Sequence, residues 1–266
     1  MREIGMFRYF EINAEGRNIR CKIYFTEKGA ADKAVIFCTG FAGHKDNNAC
    51  AKFAEKVLSK HKDVCVAVFD WPAHGDDVRK KICLDDCMAY LRLVIREVRE
   101  AYGIRRLYAY ATSFGGYLLL RYISENGSPF EKIALRCPAI NMYQLLTGTI
   151  MNAEELAKIM KGKDMPVGFD RKITVTRSFL EELKENDIRG RDFLDFAENM
   201  LIIHGTADEV IPCEDSRKFA DDQLIEFIPV EKADHRFQNP VLLSLAHKYI
   251  MEFFDFSAEN AGTQQG

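Results

Sequence analysis

Leu107-Tyr108-Ala109-Tyr110-Ala111-Thr112-Ser113-Phe114-Gly115-Gly116-Tyr117 is an apolar run that breaks on a small polar cluster and resumes as a second apolar run. The spacing predicts a strand, a sharp turn and a helix. Residues as small as Ala111 and Gly115 stand two positions either side of Ser113. A nucleophile elbow requires this, because its turn brings strand and helix too close for larger side chains. Ser113 is therefore the candidate nucleophile. The competing reading is a helix N-cap serine with a glycine nearby, so the argument must be carried by the residues around it.

On either side, strand and helix patterns alternate. Ala34-Val35-Ile36-Phe37-Cys38-Thr39, Val64-Cys65-Val66-Ala67-Val68-Phe69 and Lys132-Ile133-Ala134-Leu135-Arg136-Cys137 are the continuous apolar runs of strands buried on both faces. Helical spacing over 49–58 and 84–101 separates them. The pattern predicts an α/β fold with a mostly parallel sheet covered by helices on both faces. An antiparallel hairpin over 7–13 and 19–25 precedes it as a half-solvated edge. From 141 to 198 the sequence turns into charged, helix-like pieces, including Ala153 to Met160 and 178–184, with a short strand at Lys172-Ile173-Thr174-Val175-Thr176. None resembles a central strand. The expected organisation is a core over 1–140 and 199–256, an inserted cap over 141–198, and a polar, disordered tail over 257–266. The core resumes with strands at 199–204 and 224–229 and closes with a helix over 240–254.

In an open parallel sheet, chemistry collects at the C-terminal ends of the strands. The strand ending at His204 is followed by Gly205-Thr206-Ala207-Asp208-Glu209-Val210-Ile211-Pro212, which makes Asp208 the candidate orienting acid. The strand ending at Pro229 is followed by Glu231-Lys232-Ala233-Asp234-His235-Arg236-Phe237, which makes His235 the candidate base. In these roles His235 takes the Ser113 proton and later protonates the leaving group, while Asp208 fixes its tautomer. Asp234 competes as the acid, but Asp208 is preferred because it follows its own strand and can approach His235 from the side. An oxyanion needs two backbone donors. These are expected from Phe114, directly after the nucleophile, and from Phe41 after Gly40, with Ala42 as the neighbouring option.

Thr39-Gly40-Phe41-Ala42-Gly43-His44-Lys45, Phe69-Asp70-Trp71-Pro72-Ala73-His74-Gly75-Asp76, Ala111-Thr112-Ser113-Phe114-Gly115-Gly116, His204-Gly205-Thr206-Ala207-Asp208 and Ala233-Asp234-His235-Arg236-Phe237 occur in that order. Together they resemble the α/β-hydrolase superfamily over 34–254, and within it the small bacterial cinnamoyl/feruloyl esterases. Relatives have His-Gly where this chain has Thr39-Gly40, and Gly where it has Ala111; neither change removes a backbone donor. The resemblance implies an α/β-hydrolase fold, the triad order Ser113, Asp208, His235, and a cap closing over an aromatic acyl group. Met165-Pro166-Val167-Gly168-Phe169 is the stretch expected to line that pocket. It also places Asp70 and His74 in a structural loop, where Asp70 satisfies backbone donors.

The expected activity is a serine carboxylesterase working through an acyl-enzyme, with feruloyl or cinnamoyl-type or other small esters as substrates. A thioesterase, amidase or small-peptide hydrolase would use the same residues, and a non-catalytic binding module would use none of them. No cofactor or metal is called for. Cys83 and Cys87 lie one helical turn apart without a second Cys/His pair. Gly40 to Lys45 lacks the Lys-Ser/Thr ending of a phosphate loop. The 266 residues carry a net charge of -3, which gives no basic field for nucleic acid. Residues 1–8 show no apolar signal-peptide run and no later run reaches membrane-spanning length. The eight cysteines include Cys38, Cys65 and Cys137 inside apolar runs, as reduced core thiols do. The chain is therefore expected to be soluble and cytoplasmic, with a small-molecule ester as its partner; a homodimer stays open.

Overall fold

A computed structural model describes residues 6–27, 31–168 and 171–257. The expected tail, beyond residue 257, and the first five residues lie outside the described residues. β1 (Met6–Ala14) and β2 (Arg17–Phe25) form the predicted hairpin. Its turn is tighter than the sequence suggests: Ala14 pairs with Arg17, and Glu15 and Gly16 both adopt positive φ, at 52° and 67°. That twist matches the twist of the two strands. Only Ile12 of β1 is buried, whereas most of β2 from Ile19 to Tyr24 is, so the hairpin is the half-solvated edge expected, with β1 as its open strand.

β3 (Lys33–Cys38), α1 (Asn48–Lys60), β4 (Val64–Phe69), α2 (Leu84–Glu100), β5 (Arg106–Thr112), α3 (Phe114–Asn126) and β6 (Lys132–Arg136) follow in strict alternation. Next come α4 (Met142–Leu145), a π-helical turn at Leu146–Ile150, α5 (Ala153–Met160), β7 (Met165–Val167), β8 (Ile173–Val175) and α6 (Arg177–Glu185). β9 (Met200–Gly205), α7 (Cys213–Gln223), β10 (Glu226–Val230) and α8 (Pro240–Phe254) complete the chain. The sheet has eight strands in the order β1-β2-β4-β3-β5-β6-β9-β10. From β4 to β10 every neighbouring pair is parallel; β2 alone runs the opposite way, antiparallel to both β1 and β4.

Alternation along each strand feeds two apolar layers. Leu107, Ala109 and Ala111 of β5 pack with α2 and α3, whereas Tyr108 and Tyr110 pack with α1 and α8. Burying a large apolar side chain in this way stabilises by about 1.5–3 kcal/mol each. The helices start on local signals: Asn47 accepts from Cys50 N–H at the head of α1, and Asn239 with Pro240 opens α8.

Among the described residues, 141–199 add no strand to the main sheet; β7 and β8 pair with each other, and Thr174 of β8 also forms an isolated bridge with Lys81. This segment packs on the α2/α3 side: the Phe179 and Phe114 rings lie 6.5 Å apart, Tyr117 Oη donates to Asn186 O at 3.0 Å, and Glu182 Oε2 accepts from Leu84 N–H at 2.7 Å. α7 and β7 are absent from the sequence reading. α7 is strongly polar, with Phe219 and Ala220 among its few buried residues, and β7 contains Pro166.

Candidate active site

β5 ends at Thr112 and α3 begins at Phe114, so one residue turns the chain. Ser113 does so at φ 51°, ψ -119°, a conformation costly for any side chain. The neighbours hold it there. Ser113 N–H donates to Arg136 O at 3.1 Å, and Ser113 O accepts from Gly116 at 2.9 Å and Ala139 at 3.1 Å. Gly115 is required by proximity, since a Cβ on it would lie 2.4 Å from Cys38 O. Ser113 occupies the N-cap position of α3 without making a capping bond. Its hydroxyl points elsewhere, to His235.

His235 Nε2 lies 3.1 Å from Ser113 Oγ, and His235 Nδ1 lies 2.7 Å from Asp208 Oδ2. Ser113 and His235 come from loops after β5 and β10, and Asp208 from the loop after β9. The Asp208 carboxylate is fully buried and well supplied: Val210 and Ile211 N–H donate to Oδ1, each at 2.8 Å. Burial pushes its pKa up, but hydrogen bonds from His204 and His235 outweigh this and hold the carboxyl well below the usual carboxylate range. Asp234, the rival acid, instead accepts from Gln238 N–H at 3.0 Å within its own turn.

His204 is a neighbour that the sequence reading passed over. Its Nε2 lies 3.0 Å from Asp208 Oδ2 and 3.1 Å from Ile211 O. Two acceptors face that nitrogen, so it carries the proton and donates. Cys137, in β6's exit at φ 45°, completes a buried group in which one ligand atom from each of Cys137, His204 and Asp208 lies within 4.8 Å of the others. Burial, with Asp208 beside it, pushes the Cys137 thiol well up. Asp208 already accepts from Val210, Ile211, His204 and His235, so the group acts as a hydrogen-bonded support for that carboxylate.

The loop after β3 lies against the elbow, where a Cβ on Gly40 would sit 3.2 Å from Ser113 Cβ. Phe114 has the first N–H of α3, which no carbonyl of its own helix can reach. The Phe41 ring meets the Phe114 and His74 rings edge-on, each at 5.7 Å, which ties the two expected donor residues together. Burial pulls the His74 pKa down to about 4, so this ring is a neutral packing element.

As expected, Asp70 serves backbone donors: Lys45 N–H at 2.7 Å and Asp76 N–H at 2.9 Å. Its partner Lys45, not singled out from sequence, places Nζ 3.2 Å from Asp70 Oδ2 and also pairs with Asp76. Burial pulls Lys45 down, but these carboxylates more than compensate and raise its pKa.

A cavity of about 370 Å³ opens beside Ser113 and His235. From the inserted segment, Ile150 and Arg171 line it. Met165 to Gly168, expected as lining, do not: Val167 is buried in the apolar core by pairing with β8, and Phe169 lies outside the described residues. A larger groove of about 760 Å³ runs between α1 and α8 and includes none of the site residues.

Sheet order, elbow and strand-end loops make this an α/β-hydrolase fold. The model of the alpha/beta hydrolase fold family matches residues 33–162. Over 108 residues, 40% of this chain, the sequence is 30% identical to abhydrolase domain-containing protein lid-1 of Caenorhabditis elegans, and the match spans 29% of that protein. Among solved structures, Est1E from Butyrivibrio proteoclasticus with ferulic acid bound superposes with a TM-score of 0.73 at 16% identity, covering 91% of this chain and 98% of that one. A hydrolase described as putative from Agrobacterium vitis gives 0.72 at 16% identity, covering 94% and 99%. The chain thus resembles bacterial esterases in fold. No helix among the described residues is long and apolar enough to cross a membrane.

Proposed function

We propose that this chain is a serine hydrolase that cleaves carboxylic esters through an acyl-enzyme. The observation that supports it most directly is the connected chain from Ser113 Oγ through His235 to buried Asp208, at 3.1 and 2.7 Å. Ser113 Oγ attacks the ester carbon as His235 Nε2 takes its proton, and the imidazolium is stabilised by Asp208. The developing oxyanion is met by the N–H groups of Phe41 and Phe114; one such donor is worth about 3–4 kcal/mol. The intermediate collapses as His235 returns the proton to the leaving alcohol. A water molecule, deprotonated by His235, then releases the acid from Ser113.

Aromatic-acid esters are the finer reading, favoured by the likeness to Est1E, whose structure has ferulic acid bound. Thioesters and amides would pass through the same steps. The test is incubation with a small activated ester and with a serine-directed phosphonate. Turnover and a single phosphonate adduct at Ser113 are expected, with Ser113→Ala losing both; no turnover and no adduct would sink the reading. Methyl ferulate against methyl butyrate tests the aromatic preference.

A further inference from the structure

The cavity beside Ser113 holds more positive charge than ester cleavage requires. Arg136, Arg171 and Arg236 border it, and among the described residues no carboxylate does. Arg171 and Arg236 are exposed, whereas Arg136 is only 6% exposed. Arg136 ends β6 and lies on the same face as Ala134, toward α1 and α8. Its guanidinium carbon stands 5.1 Å from the Phe237 ring centroid. Its Nε and Nη1 are buried and have no hydrogen-bond partner among the described residues.

The other buried cations differ. Lys22 is paired with Asp46, Lys45 with Asp70 and Asp76, and Arg121 with Glu125. Among the described residues no carboxylate pairs with Arg136. A guanidinium stays charged and presents its donors as a planar fork. Buried beside a cavity with donors unmet, such a group is costly unless an anion completes it.

We infer that Arg136 receives an anionic group of the substrate: an ester, one limb of which carries a carboxylate or a phosphate. Arg171 and Arg236 at the cavity surface add to the field that draws it in. This rests on the proposed ester hydrolysis and narrows its substrate class, setting anionic esters ahead of neutral aromatic ones.

Acid release by the wild-type protein tests it with two matched pairs. Monomethyl adipate against methyl hexanoate places a carboxylate on the acyl limb. 2-Acetoxyethyl phosphate against butyl acetate places a phosphate on the alcohol limb. At least one anionic ester should exceed its neutral match by about tenfold or more in kcat/KM, mainly through KM, as a charge-assisted pair provides. The preferred pair identifies the anion and the limb.

Adipate or inorganic phosphate should inhibit neutral-ester hydrolysis competitively. In Arg136→Met the ratio of anionic to neutral kcat/KM should fall toward one. Should that variant not fold, the wild-type ratios and the inhibition decide. Neutral esters cleaved as well as both anionic ones, without inhibition by either anion, would overturn the inference and leave ester hydrolysis standing. No turnover of any ester and no phosphonate adduct at Ser113 would overturn both.

Discussion

At the residue scale, the elbow depends on an absent side chain. Gly115 lies against the Cys38 and Thr39 carbonyls, where a Cβ would meet oxygen at 2.4 and 2.6 Å. Gly115→Ala must push β3 from α3, and overpacking of this kind costs about 1–3 kcal/mol. We expect a lower urea midpoint and a larger proportional loss of rate than of stability, because the displaced carbonyls precede Gly40 and Phe41. Unchanged kinetics in a destabilised variant would show the contact to be structural only. A second residue prediction concerns acid. His247 is buried between Phe53 and Tyr110, and burial pulls its pKa down to about 3. An unfolded histidine takes up its proton near about pH 6.5. The folded value is the lower one, so the stability is full above about 6.5 and is lost as pH falls toward the folded value, the unfolded chain binding the extra proton. His247→Phe should therefore lose less stability than the wild type between pH 7 and about 4.5, as denaturant titrations at both values would register. Equal losses would refute the assignment.

At the element scale, the loop after β3 is held from behind. Asp70 and Lys45 tie it to the loop after β4, and Trp71 Nε1 donates to Thr39 O at 3.0 Å. Asp70→Ala leaves the Lys45 and Asp76 N–H groups without their acceptor, while the Lys45 ammonium keeps Asp76, and an orphaned buried donor costs about 1–3 kcal/mol. Its kinetic signature should be a fall in kcat with little change in KM, since in the proposed mechanism the Phe41 N–H is called on only as the oxyanion forms. A rise in KM alone would place the loop in ground-state binding instead. The inserted elements were the least legible in the sequence. Their helices at Ala153–Met160 and Arg177–Glu185 carry periodic apolar residues and were readable, whereas the π-helical turn and β7 have no local pattern of their own.

Across the whole molecule, the sheet was legible because parallel strands buried on both faces are unbroken apolar runs, as Val64 to Phe69 illustrates. Ser113 and Asp208 could be found because each follows such a run, and His235 because it follows the shorter, partly exposed edge strand β10 and completes an informative order. His204, Lys45 and Arg136 could not, since each owes its role to partners distant in sequence or to a cavity that only tertiary packing creates. The cysteines were readable as core residues, and all eight are free thiols. Cys21, Cys38, Cys50, Cys65, Cys87 and Cys137 are buried, while Cys83 and Cys213 are half-buried. They lie in both apolar layers and beside the site, so the chain carries its own set of conformational reporters. A brief exposure to a thiol-specific label should modify Cys83 and Cys213 first. Each later adduct, located by mass spectrometry, would then date the opening of the layer that conceals it, giving a map of local unfolding without an added probe.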